Sequence, residues 1–179
     1  MTLPKKIDTK RSHRVIQFFL ERSKNWNTDN RDFSIYWSTS HMATTAQIMR
    51  LLAIKRGLDP DICAIAGAIH DIATMESGKG ENHAIKALGY IAPLIKAYNE
   101  SRYASNAALR ITEPEIELLE EIIPLHSQKD MLSNNRYAET LKDADAMDRY
   151  LQGVETKDSE IQRLIAVFEE MGNIVSITH

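Results

Sequence analysis

Disulfides are the first thing this sequence rules out. It holds one cysteine, Cys63, whose apolar neighbours mark it as a small buried hydrophobe. Long apolar runs are missing too, and none approaches the ~20 residues that a membrane-spanning helix needs. The opening Met-Thr-Leu-Pro-Lys-Lys runs into polar residues with no apolar h-region, so no secretory signal is expected and a cytoplasmic location is the default. An excess of one charge is also lacking. Lys and Arg number 22 against 25 Asp and Glu, a formal net charge of −3, so a nucleic-acid backbone is not the expected main partner. Alternating strand patterns, internal repeats and low-complexity tracts are absent.

What is present is ordinary for a globular chain: 43% hydrophobic and 26% charged residues in 179. That length buries a core without staples, so one domain is expected. The pattern reads as all-α, a single-domain helical bundle. Residues 1–37 form an N-terminal helix and loop packed on the core, 38–153 form the core, and 154–179 supply a C-terminal helix of the same domain.

Helix signals recur along the chain. A first helix is expected over 8–25, with Val15, Phe18, Phe19 and Leu20 as its apolar stripe, followed by an Asn/Asp-rich loop to 34. Ser38 or Ser40 can cap a second helix that runs to 56, with Gly57 at the left-handed C′ position. Asp59-Pro60 opens a third, in which Pro60 fits the first helical position. From 62 to 72 it is apolar all round, which marks a central helix. Ala64, Ala66, Gly67 and Ala68 allow neighbouring helices to come close. A polar loop is expected over 75–82, then a fourth helix from 81 or 82 that Pro93 should kink or restart. Residues 99–110 read as an irregular connection. Thr112-Glu113-Pro114-Glu115 is a capping box opening a fifth helix, which Pro124 bends or ends. A sixth helix over 137–151 stops at Gly153, and a seventh over 159–171 stops at Gly172.

Against this frame the histidines stand out. Of six, His13 and His179 lie near the ends, and His41, His70, His83 and His126 are interior. His41 shares a helix face with Thr45, Ile48 and Leu52, and His126 shares one with Leu119 and Ile122. His70-Asp71 ends the apolar helix, and His83 falls in the first turn of the next. One lone interior histidine is more often a hydrogen-bonded core residue than a ligand. Four of them, with Asp71 and an aspartate of the segment D-A-D-A-M-D (143–148), point instead to a metal site. Spacing alone does not separate Asp143, Asp145 and Asp148. Imidazole with carboxylate suits iron, zinc, manganese or nickel better than calcium or magnesium. Six ligands exceed the needs of one tetrahedral zinc, which favours two divalent ions bridged by Asp71.

The order His41, His70-Asp71, His83, His126 and then Asp145 resembles the HD-domain superfamily of all-helical, metal-dependent phosphohydrolases. The resemblance covers about 38–151 and includes the surroundings H-M-A-T-T-A, A-G-A-I-H-D-I, N-H-A-I-K-A-L-G, I-P-L-H-S and L-K-D-A-D-A-M-D-R-Y. It implies that Asp145 is the final ligand, and that His83 and His126 place the chain with the members holding two metals. The D-G-x-G-Y-P segment of the cyclic dinucleotide phosphodiesterases is absent. Ala73 and Thr74 stand where a lysine follows the His-Asp pair in that branch and in dinucleoside tetraphosphate hydrolases. The E-D signature of the (p)ppGpp hydrolases is missing as well.

The chemistry implied is hydrolysis of a small phosphorylated substrate, such as a nucleotide. Two divalent ions can bring the pKa of a bridging water from ~16 to near neutrality. Basic groups must then hold phosphoryl oxygens. Lys79, in Gly78-Lys79-Gly80, is the first candidate and Arg149 the second, with Lys142 and Arg136 weaker. Lys79 and Asp71 are therefore the expected catalytic residues. Tyr36 and Trp37 either stack on a base or plug one end of the bundle. Two rival readings keep the same residues: a di-iron oxygenase acting on a diol or phosphonate, and a ligand-binding regulatory module. A complete ligand set argues against the module.

Overall fold

Asp59 accepts hydrogen bonds from the N–H groups of Asp61 (2.8 Å) and Ile62 (3.3 Å), and Pro60 takes the first position of the helix that follows. In the computed structural model, which describes residues 7–172, this is α3 (Pro60–Ile69), with every residue from Ile62 to Ile69 buried. It is the central helix, as its all-round apolarity predicts. Residues 1–6 and 173–179 of the expected first and last segments, His179 among them, lie outside the described residues. Those described form helices and short 3-10 turns, with no strand. No helix among them is long and apolar enough to cross a membrane.

The most extensive packing is between α3 and α2 (Ile35–Arg56). Gly67 makes it possible: a Cβ there would lie 2.9 Å from the Ala46 Cα and 3.0 Å from the Thr45 carbonyl oxygen. α2 begins earlier than Ser38 or Ser40. Ser34 is the cap, accepting from the Trp37 N–H at 3.0 Å, so Trp37 sits one turn before His41. At the other end Gly57 turns left-handed (φ 66°) and the Leu58 N–H reaches the Ala53 carbonyl at 2.9 Å. α1 (Lys10–Ser23) lies against α3 and buries Val15, Phe18 and Phe19, while Leu20, expected in that stripe, is exposed.

After His70-Asp71 the structure departs from the sequence reading. Part of the expected 75–82 loop is helical. α4 (Ile72–Ser77) continues because Met75 is drawn fully into the core, and Gly78 (φ 76°) ends it. α5 (His83–Lys86) follows left-handed Asn82, and α6 (Leu88–Glu100) follows at once. The restart therefore comes at Ala87, not at Pro93. Pro93 sits inside α6, where the carbonyl left without a partner belongs to exposed Gly89. The irregular 99–110 stretch holds two 3-10 turns, Arg102–Ala104 and Ala107–Leu109.

α7 (Glu113–Ile122) opens on its capping box, with the Thr112 N–H and hydroxyl both 2.8 Å from Glu115 Oε2. Pro124, in a 3-10 turn over Ile123–Leu125, ends that run just before His126. α8 (Arg136–Leu151) and α9 (Asp158–Glu170) complete the bundle. Arg56 ties them to α2 by pairing with Asp143 (2.8 Å) and Glu170 (2.7 Å).

Gly67→Ala forces α2 and α3 apart at backbone level. It is expected to destabilise the fold by about 1–3 kcal/mol, read as a lower urea midpoint at unchanged slope. An unchanged midpoint would show that the helix contact is looser than the structure has it.

Candidate metal centre

Three of the four interior histidines are oriented by the same local device. His70 Nδ1 donates to the carbonyl of Gly67 at 2.8 Å, His83 Nδ1 to Gly80 at 2.7 Å and His126 Nδ1 to Ile123 at 2.7 Å. Each acceptor lies three residues back, where the chain turns, and the Gly80 and Ile123 carbonyls also take the backbone N–H of the same histidine, at 3.3 and 3.1 Å. His41 is held differently. Its Nδ1 meets the Asp148 carboxylate, with Thr45 Oγ1 at 3.3 Å. With all four Nδ1 atoms engaged, the Nε2 atoms carry the lone pairs, and all four point inward.

They converge closely. The Nε2 atoms of His41 and His70 are 3.1 Å apart, and those of His83 and His126 are 2.9 Å apart. Asp71 stands between the two pairs. Its Oδ2 is 3.5 Å from His41 Nε2, and its Oδ1 is 3.1 Å from His83 and 3.3 Å from His126. Asp145 Oδ1 is 3.3 Å from His41 and 3.7 Å from His70. Facing lone pairs and carboxylate oxygens repel unless a cation sits among them. Asp71 Oδ1 shows the consequence: it is buried with no hydrogen-bond partner, although His83 Nε2 and His126 Nε2 lie 3.1 and 3.3 Å away. Three overlapping groups have ligand atoms close enough to hold an ion: His41, His70 and Asp71; His70, His126 and Asp145; Asp71, His83 and His126. The donor set fits a divalent transition metal.

Electrostatics point the same way. Burial pushes the Asp71 and Asp145 carboxyls up. The surrounding histidines, with Lys129 beside Asp145, more than reverse this and hold both well below the usual carboxylate range. With no cation in the cluster, burial pushes His41 down, but the carboxylates of Asp145 and Asp148 beside its two ring nitrogens raise it to about 10. His126 is pushed down, chiefly by burial. His83 is raised by Asp71 against the effect of its own burial.

The cluster forms the floor of a cavity of about 390 Å³. The HD domain profile matches residues 39–150. This chain belongs to the HD-domain family. Most members of that family are metal-dependent hydrolases. No curated protein and no solved structure matches the chain. All the clustered histidines and aspartates lie within the matched HD segment. The cavity walls come partly from outside it: Phe33 and Trp37 from before, Lys157 and Glu160 from after.

The HD core also separates the three aspartates that spacing leaves equivalent. Asp143 faces away, paired with Arg56 (2.8 Å) and Arg163 (2.9 Å). Asp148 orients His41. Asp145 alone of the three turns an oxygen into the cluster. Of the basic candidates, Arg149 lines the cavity, with its Nε 3.7 Å from Glu160. Lys79 does not line it. Its side chain is 52% exposed and pairs with Asp32 at 3.0 Å, leaving Gly80 and Asp32 to reach the cavity. Lys142 is buried against the Met131 carbonyl and Glu139, and Arg136 donates to the Arg56 carbonyl, so both serve the fold. Trp37 stacks on His41 (4.7 Å between centroids) and on Phe33 (4.6 Å), so both its faces are covered. Tyr36 is 84% exposed and away from the cavity. Sequence reasoning missed Lys129, whose Nζ is 2.5 Å from Asp145 Oδ2. Its signal was a lysine one turn past His126.

Asp148→Asn removes the carboxylate that fixes the His41 tautomer. It is expected to weaken metal binding about 10–100-fold, measured by chelator competition; wild-type affinity would mean that Asp148 does not orient the ligand. Protons also compete with metal for His41. Because its folded pKa lies above the ordinary 6.5, at about 10, the stability its proton supplies to the metal-free protein is complete below about 6.5 and is lost as pH rises toward 10. Apparent metal affinity therefore rises across that range, which titrations at several pH values would detect.

Proposed function

We propose that this protein is a metal-dependent phosphohydrolase acting on a small phosphate ester, such as a nucleotide, at a dinuclear centre bridged by Asp71. The observation that carries the reading is the position of Asp71, with one carboxylate oxygen toward His41 and the other toward His83 and His126. His41, His70 and Asp145 would serve one ion, and His83 with His126 the other. Bound there, iron, manganese, zinc or nickel supplies Lewis acidity toward phosphoryl oxygens and acidifies the attacking water.

The remaining work falls to the chain. The Nδ1 bonds hold the imidazoles in the ligating tautomer, so no reorganisation is needed when charge develops. Arg149, on the cavity wall, binds the anionic substrate, and its guanidinium offers a planar set of donors suited to phosphoryl oxygens. Hydrolysis breaks the P–O bond to the leaving group and forms a new one to the water oxygen; the departing oxygen leaves protonated. With Trp37 covered on both faces, a base would meet the edge of Phe33 rather than an open indole.

Purified protein is expected to carry close to two transition-metal ions per chain and to hydrolyse an aryl phosphate or a member of a nucleotide panel. Asp71→Asn is expected to lower metal content and cut turnover by at least about 10³-fold. Wild-type turnover in that variant, or a protein that takes up no transition metal, would sink the reading. Turnover that requires dioxygen and mixed-valence iron would transfer the same residues to the oxygenase chemistry of a minority of HD-like proteins.

A further inference from the structure

We propose that Lys129 is a catalytic residue of this site, whose ammonium binds a phosphoryl oxygen of the substrate, and that buried Glu160 positions it. The inference rests on the hydrolase reading and deepens it by assigning the group that meets the phosphate.

Lys129 lines the cavity with a side chain only 9% exposed. Its Nζ donates to Asp145 Oδ2 at 2.5 Å and to the His126 carbonyl at 3.3 Å. An ammonium has three N–H donors. The next protein acceptor, Glu160 Oε1, is 3.9 Å away, beyond hydrogen-bond reach. One donor is therefore left for the cavity. Asp145 fixes how far that donor is from the chemistry. Its Oδ1 faces His41 and His70 while its Oδ2 takes Lys129, so the ammonium lies one carboxylate's width from the inward-pointing nitrogens.

Glu160 keeps the lysine and Arg149 on the same side of the cavity. It is 4% exposed, and its Oε2 is occupied in accepting the Lys157 N–H at 3.0 Å, at the start of α9. Its Oε1 is then held between two cations, 3.7 Å from Arg149 Nε and 3.9 Å from Lys129 Nζ. Both cations stay on one wall, and neither spends a full hydrogen bond on the glutamate. An oxyanion in the cavity meets two charge-assisted donors already in place. A purely structural lysine would serve only to balance Asp145. Its removal would then alter metal loading or stability, and not phosphate binding by protein that is already loaded.

The test uses the full chain loaded with Mn²⁺, with metal content measured for each variant and inorganic phosphate as the probe. At equal metal content, Lys129→Met is expected to bind phosphate at least about 10-fold more weakly than wild type. With p-nitrophenyl phosphate, its kcat/KM is expected to fall about 10²–10³-fold. Glu160→Gln is expected to weaken phosphate binding more mildly. Phosphate affinity equal to wild type in a fully loaded Lys129→Met overturns the inference and leaves the hydrolase reading standing. Weakened phosphate binding in a protein that hydrolyses no ester removes the hydrolase reading and with it the catalytic role, and leaves Lys129 as a phosphate-binding residue. Wild type that binds no phosphate overturns the inference, while the hydrolase reading is decided by turnover of the ester. Should Lys129→Met fail to fold or load, the Zn²⁺-loaded wild type with ¹⁵N-labelled lysine decides. Phosphate must shift the Lys129 Nζ resonance, and an unmoved signal overturns the proposal.

Discussion

Four imidazoles share one constraint: every Nδ1 is committed to an acceptor, so every Nε2 faces inward. Much of the fold follows from meeting it. The Gly67, Gly80 and Ile123 carbonyls accept from the rings where the chain turns, at the α3 exit, before α5 and in the 3-10 turn after α7. The last two share the bond with the N–H of the same histidine. A continuous helix would take those carbonyls for its own ladder and release the histidine rings. The chain breaks that interrupt an otherwise regular bundle are therefore the places where ligands are aimed.

The cost of the arrangement is a buried concentration of negative charge and unshared lone pairs. Asp71, Asp145 and Asp148 are brought together in the interior, against imidazoles and Lys129, which is unfavourable without cations among them. Close packing of α2 on α3 at Gly67 brings His41 within reach of His70. The HD core thus supplies the floor and the cationic wall of Lys129 and Arg149, with Glu160 of α9 between those cations. Phe33 and Trp37, at the start of α2, make another wall aromatic.

Much of this was legible in the sequence, for a physical reason. His41 sits on an apolar helical stripe and His70-Asp71 ends an apolar run, so periodicity sends them inward. His126 continues the Leu119 and Ile122 spacing in sequence and is buried just past the 3-10 turn that ends the helix. Asp145 was not separable from Asp143 and Asp148 by spacing. What separates them is tertiary: Arg56 and Arg163 claim Asp143, and His41 claims Asp148. Lys79 lies off the cavity because Asp32 pairs with it from a distant loop, which proximity in sequence to the His-Asp pair does not reveal. Lys129 stands one turn past His126 but in an aperiodic stretch, and its burial comes from partners distant in sequence, Asp145 and Glu160. Ser38, expected as a cap, is inside the helix because Ser34 reaches the free N–H groups first.

The stack of Trp37 on His41 makes the centre optically visible. The chain has two tryptophans, and Trp26 lies elsewhere, under the Arg31 guanidinium. Trp37 rests at 4.7 Å on a ring whose Nε2 faces Asp71 and Asp145. Its fluorescence is sensitive to the charge on that imidazole and to any paramagnetic ion the imidazole holds. The protein carries its own indicator for the state of one ligand, with no label required.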